Sequence, residues 1–89
     1  MSNNTRLLHV IIRSPKQIIY EGAATSVSST NTAGKFDILP EHANFVTMTE
    51  DTPIIVRSED GKTLTYNLPL TIIYNNGNTV KIYTDILSK

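Results

Sequence analysis

The chain has 89 residues, eight basic against eight acidic, no Cys, no Trp and 39% apolar residues. That length holds one domain with a modest core and no disulfide or thiolate-metal staple. A balanced charge argues against a nucleic-acid binder that works by neutralising phosphates, and no apolar run approaches the roughly 20 residues of a membrane-spanning helix. Met1–Thr5 is polar and lacks the basic-then-apolar layout of a signal peptide. Thr, Ile and Val make up 28 of the 89 residues. Side chains branched at Cβ favour strands over helices, so an all-β fold is predicted.

In chain order, Arg6 to Arg13 reads as a strand with Leu8, Val10 and Ile12 on one face. Ser14-Pro15-Lys16-Gln17 is a turn, and a second strand follows through Ile18, Ile19 and Tyr20. Gly22 suggests a bulge or a close approach. Ala23 to Ser29 continues extended but weakly patterned, and Thr30 to Gly34 reads as an exposed loop. Phe36, Ile38 and Leu39 are expected in the core before Pro40 ends their strand. Residues 41–44 are irregular, and Phe45 to Thr49 is extended again. Glu50-Asp51-Thr52-Pro53 is expected to turn before Ile54 to Arg57. Asp60-Gly61 and Asn76-Gly77 are hairpin signals, separating the runs Thr63–Asn67, Leu70–Tyr74 and Val80–Thr84. Thr84 to Lys89 is the only helix-compatible piece, and it is too short to stand alone. Turns every eight to twelve residues are the spacing of a sandwich or barrel.

Site chemistry is sparse. His42, Asp37 and one of seven serines could be assembled into a hydrolytic triad on paper, without the strand–turn–helix setting that a nucleophile needs. His9 and His42 have no metal-ligand spacing. Gly22, Gly34, Gly61 and Gly77 are isolated and make no phosphate loop. Tyr20, Phe36, Phe45, Tyr66, Tyr74 and Tyr83 lie among alternating apolar residues without interleaved Lys or Arg, which favours core packing over base stacking. The expectation is a domain that works by its surface, with no catalytic residue, metal or cofactor.

The segment Gly34-Lys35-Phe36-Asp37-Ile38-Leu39-Pro40-Glu41-His42-Ala43-Asn44 resembles the signature of the N-terminal β-sandwich of the epsilon subunit of F-type ATP synthases, called delta in mitochondria. Gly34, Phe36, Ile38, Leu39, Pro40, His42 and Ala43 match in register. Leu8–Ile12 with Pro15 and Tyr20-Glu21-Gly22 is similar to the family's opening elements, and Val80–Asp85 to its closing strand. Asp37 and Glu41 replace two glycines, and Asn67-Leu68-Pro69-Leu70 stands where the family usually has Ser-Gly-Gly-Phe.

The resemblance implies one β-sandwich domain over residues 1–89, of eight to ten short strands, with its core at about 6–87 and a flexible 1–5. It implies a non-catalytic rotor subunit of a proton- or sodium-translocating synthase. Its partners would be the gamma shaft and the membrane c-ring, with no nucleic acid and no direct membrane insertion. Thr32, Ala33, Gly34 and Lys35 would face the c-ring, and His42, Ala43 and Asn44 would face gamma. The location implied is the cytoplasmic face of a bacterial-type plasma membrane. Family members commonly continue into a two-helix domain that sometimes binds ATP. No such helical hairpin is expected here, and no nucleotide binding, whether the subunit is naturally sandwich-only or the sequence stops at a domain boundary. The alternative is a free-standing β-sandwich adaptor or ligand-binding module unrelated to the ATP synthase, because fold does not fix function.

Overall fold

The computed structural model describes residues 6–84. Six strands follow in order: β1 (Leu8–Arg13), β2 (Ile18–Asn31), β3 (Gly34–Ile38), β4 (Phe45–Ser58), β5 (Thr63–Asn76) and β6 (Thr79–Thr84). No helix occurs among the described residues. The helix-compatible tail and Met1–Thr5 lie outside them.

Three strands of 14 residues each serve both layers of a sandwich. The first half of β2 pairs with β1, and its second half pairs with β3 and with the C-terminal part of β4. β5 pairs with β4 along nearly its whole length but with β6 only from Thr71 to Asn76. β1 and β6 run parallel at one end of the order β1-β6-β5-β4-β2-β3, and β1–β2 pairing closes the circuit through β2, with β3 outside it. A count of six is therefore lower than the eight to ten short strands expected, because residues expected to turn lie inside continuous strands. Glu50 to Pro53 belongs to β4, and Leu68 to Leu70 to β5. Asp51, at φ 52°, falls opposite Pro69 in this ladder. Asp tolerates left-handed backbone and Pro supplies no N–H, so the pair meets at a local break without loss of register. The expected loop at Thr30–Gly34 is also shorter. β2 runs to Asn31, and Thr32-Ala33 alone connect it to β3.

The core follows the alternation of the strands. Leu8, Val10, Ile12, Val27, Ile38, Ile54, Val56, Ile73, Val80 and Ile82 are essentially fully buried, as predicted for the β1 face. Each such side chain contributes about 1.5–3 kcal/mol by leaving water. Phe36 packs against this cluster, whereas Leu39 does not join it and stays 52% exposed. β3 ends at Ile38, and the chain turns away there, with His42 N–H donating to Leu39 O. Tyr20 and Tyr66 stack at 6.1 Å between ring centres. Burial and the neighbouring Tyr66 raise the Tyr20 phenol above its ordinary pKa. Gly22 sits beneath that ring, where a Cβ would come within 2.8 Å of Tyr20 Oη. This is the close approach its isolated position suggested, while the β2 register shifts flank it, one at Ile19 against β1 and one between Ala24 and Ser26 against β4.

The β4–β5 turn is held by Asp60. Its carboxylate accepts from Ser58 Oγ and from Lys62 N–H, which keeps Asp60 below the ordinary carboxylate range. A depressed carboxylate stabilises the fold above its unfolded pKa and stops doing so as pH falls through its folded one. Wild type should therefore unfold at higher denaturant than Asp60→Asn at neutral pH, and the gap should close as pH is lowered through and below the ordinary carboxylate range. Urea titrations at several pH values check this.

Candidate functional site

The segment joining β3 to β4 is irregular, yet it is tied at several points to the β5–β6 hairpin. Glu41 N–H donates to Asn78 Oδ1 at 2.8 Å, and Gly77 N–H donates to Asn44 Oδ1 at 2.8 Å. Asn75 Nδ2 donates to the carbonyls of His42 and Ala43, at 3.4 and 2.9 Å. Arg6 Nη1 and Asn78 Nδ2 both donate to Glu41 Oε2. His42, Ala43 and Asn44 are all exposed on this clamped segment, and the His42 ring packs on Phe45 at 5.1 Å between centres. Glu41 has φ 70°, a left-handed conformation that favours glycine, held here with a side chain in place. Asp37 lies in regular β3 and needs no such conformation.

Thr32, Ala33, Gly34 and Lys35 form the tip and first residues of the β2–β3 hairpin, all exposed. Asn31 Oδ1 accepts from Ala33 N–H at 2.8 Å, an Asx turn that shapes the tip. Gly34 leaves the tip at φ 122°, a conformation open to glycine. These four residues and His42–Asn44 thus occupy separate connections. Among the described residues no cluster of three metal-ligating side chains occurs.

The feature missed by sequence reasoning is a sheet face of inverted polarity. In β5, Thr71 and Asn75 are buried beside Ile73, while Leu70, Ile72 and Tyr74 are 41%, 37% and 43% exposed. The inward hydroxyls of Thr71 and Thr49 bond each other across the ladder, and Asn75 is used by the clamp. Register carries the outward row onto the neighbours. Val46 lies opposite Tyr74 and Met48 opposite Ile72, and Ile72 lies beside Tyr83 on β6. Val46 and Met48 are 60% and 57% exposed. Tyr74 and Tyr83 meet edge to face at 5.7 Å, so two aromatics expected in the core are on the surface. A shallow depression of about 750 Å³ runs over this side, lined by Ile72, Tyr74, Asn76, Thr79, Lys81 and Tyr83. A contiguous apolar patch of this kind marks a surface for another macromolecule. The available signal was the Leu70–Ile72–Tyr74 alternation itself, set against Thr71 and Asn75 in the same strand.

Residues 7–88 match the family model described as ATP synthase, Delta/Epsilon chain, beta-sandwich domain. The chain belongs to this family. It is 38% identical over 58 residues to the ATP synthase epsilon chain of Micrococcus luteus, covering 65% of this chain and 64% of that one. It is 36% identical over 73 residues to the ATP synthase epsilon chain of Endomicrobium trichonymphae, covering 80% of this chain and 53% of that one. The chain therefore spans between about half and two thirds of the length of these relatives. Among solved structures, a chain of the Euglena gracilis mitochondrial ATP synthase (OSCP/F1/c-ring) superposes with TM-score 0.82 at 18% identity, over 93% of this chain and 53% of that one. A chain of the Tetrahymena thermophila mitochondrial ATP synthase central stalk and c-ring gives 0.75 at 12% identity, over 98% and 69%. Both establish the sandwich fold.

Position 41 gives a direct test of the clamp. With either Glu41→Gly or Glu41→Ala the carboxylate bonds are lost, but only the first relieves the left-handed backbone. Glu41→Gly should be more stable than Glu41→Ala by about 1 kcal/mol, the reverse of the usual order in regular structure. Chemical denaturation of the two variants reads the difference.

Proposed function

We propose that this domain is a non-catalytic central-stalk subunit of a proton- or sodium-translocating F-type ATP synthase, coupling the gamma shaft to the membrane c-ring. Family membership supports the assignment, and the single structural observation that carries it is the apolar outer face of β4, β5 and β6. Val46, Met48, Leu70, Ile72, Tyr74 and Tyr83 make a surface that water alone does not favour, on a sheet stiffened by pairing on both sides of β5 and β6. A rotor coupling needs such a surface, because a permanent contact must not slip under torque, and a close-packed sandwich yields little.

In this reading gamma covers the apolar face, and His42, Ala43 and Asn44 border it beside the β5–β6 hairpin. Lys35 and its neighbours Thr32, Ala33 and Gly34 meet the c-ring, with Lys35 paired to a carboxylate on a ring loop. The subunit is peripheral, held to the cytoplasmic face of a bacterial-type plasma membrane through the complex. Catalysis of ATP chemistry belongs to other subunits.

Titrating the synthase's gamma subunit into the chain tests the first contact. Ile72→Asp should weaken gamma binding by roughly 30-fold or more, the scale of an interface hot spot. It should cost the fold only about 1–2 kcal/mol, in strand propensity and cross-strand contact, since Ile72 lies on the outer face. Ile73→Ala, one residue away and fully buried, should instead lose about 2–5 kcal/mol of stability. Failure of wild type to bind gamma would sink the assignment. For the second contact, Lys35→Glu should reduce co-purification with the assembled ring while sparing gamma binding, and unchanged ring assembly would count against the ion pair.

A further inference from the structure

The apolar face continues to the edge of its sheet, and the backbone there is open. Asn76 and Thr79 close a two-residue turn, Gly77-Asn78, and the closing pair of such a turn exchanges both backbone bonds. Asn76, Tyr74 and Ile72 therefore direct their backbone polar groups at β6. The parallel side agrees: His9 N–H donates to Asn78 O at 2.8 Å, so the even-numbered residues of β6 serve β1 and the odd-numbered ones serve β5. Because orientation alternates along a strand, Thr71, Ile73 and Asn75 turn theirs to β4, opposite Thr49, Thr47 and Phe45. Val46, Met48 and Glu50 then aim N–H and C=O away from β5. The β2–β4 ladder ends at Ser28 and Ile55, so β2 does not take them. Among the described residues these groups have no strand partner.

The other open edges are different. β3 is five residues long and carries exposed Lys35 and Asp37, the charges that ordinarily guard an edge. The unpaired side of Thr63 to Asn67 presents polar Thr63, Thr65 and Asn67 outward. Ile18 on the open side of β2 and Leu70 on that of β5 are single exposed apolar residues, whereas Phe45 to Glu50 of β4 carries two, Val46 and Met48, with no Lys or Pro between. This edge looks onto a cleft of about 670 Å³ where β2 and β4 diverge, with Thr30, Asn31 and Thr32 on its far wall. Asn31 Nδ2 donates to Thr47 Oγ1 at 2.9 Å and props the two walls.

We propose that Phe45–Glu50 of β4 is a strand acceptor, and that an extended segment of gamma adds to it by main-chain hydrogen bonds to Val46, Met48 and Glu50. This rests on gamma being the occupant of the apolar face, with which the edge shares Val46 and Met48. Six residues of strand give roughly 20 Å of edge. The incoming segment is apolar where it lies beside Val46 and Met48, and carries a basic residue against Glu50, the one charge on the edge. Main-chain pairing sets the depth and angle of docking, which side-chain contact on a flat face leaves loose.

Amide hydrogen exchange of the full chain, alone and with gamma, tests the proposal. Alone, the amides of Val46, Met48 and Glu50 should exchange fast while those of Thr47 and Thr49 are protected. With gamma bound, the first three should slow by about tenfold or more. Met48→Pro removes an N–H that the free fold does not use, so it should keep the fold and bind gamma about tenfold more weakly than Met48→Ala. Gamma binding without slowing at these amides overturns strand addition and leaves the stalk assignment standing. No gamma binding by wild type overturns both. Protection in the free chain at all concentrations makes the chain its own cover, and protection that grows with its concentration makes a second copy the occupant; either overturns the proposal. If Met48→Pro fails to fold, the wild-type exchange pattern still decides.

Discussion

The register of β5 against β4 determines which side chains of this domain meet water, and most of what is distinctive in the structure depends on it. A shift of one residue would exchange the two faces of β5, carrying Leu70, Ile72 and Tyr74 inward and Thr71, Ile73 and Asn75 outward. The shift does not occur because the inward hydroxyls and the Asn75 amide N–H have partners, with only Asn75 Oδ1 left without one among the described residues, and because the turns are set. Thr71 meets Thr49, Asn75 bonds the carbonyls of His42 and Ala43, and the Gly77-Asn78 turn holds β6 so that Val80 and Ile82 face the core. Buried polar groups with partners are tolerated at little net cost, and exposed apolar ones cost little in the free chain. The same arrangement leaves an apolar face outward and an unguarded edge at its border.

Positive-φ residues mark where the chain departs from regular structure in order to keep this register. Asp51 opposite Pro69 lets β4 and β5 pass from one layer to the other within a continuous ladder. At Glu41 a charged residue takes the left-handed turn conformation, and its carboxylate accepts from Arg6 and Asn78. The result is a short irregular segment presenting His42, Ala43 and Asn44 from a fixed base.

Much of the fold was legible in the residues. Alternation in Leu8–Ile12 and the β-branched composition indicated an all-β core, Asp60-Gly61 and Asn76-Gly77 located two hairpins, and Gly34 to Asn44 carried the family resemblance. The strand count was overestimated at Glu50–Pro53 and Leu68–Leu70, where Pro and acidic residues read as turns. In the ladder, a Pro whose missing N–H meets a left-handed Asp is accommodated inside a strand. Leu39 was assigned inward from local alternation, but β3 ends one residue before it. The hairpin tip at Thr32–Lys35 and the segment at His42–Asn44 were found at the surface, in the connections the sequence placed them in.

What the sequence alone determined were properties carried by neighbouring residues: β propensity, turn chemistry, the β1 core face and the family signature. Which face of β5 is buried could not be read that way, since Leu70–Ile72–Tyr74 and Thr71–Ile73–Asn75 each offer a plausible alternation. That choice rests on groups 22 and 33 residues distant in the chain, Thr49 for Thr71 and His42 for Asn75. Only the assembled sandwich brings them within hydrogen-bonding reach, and with them it decides where the apolar face and the open edge lie.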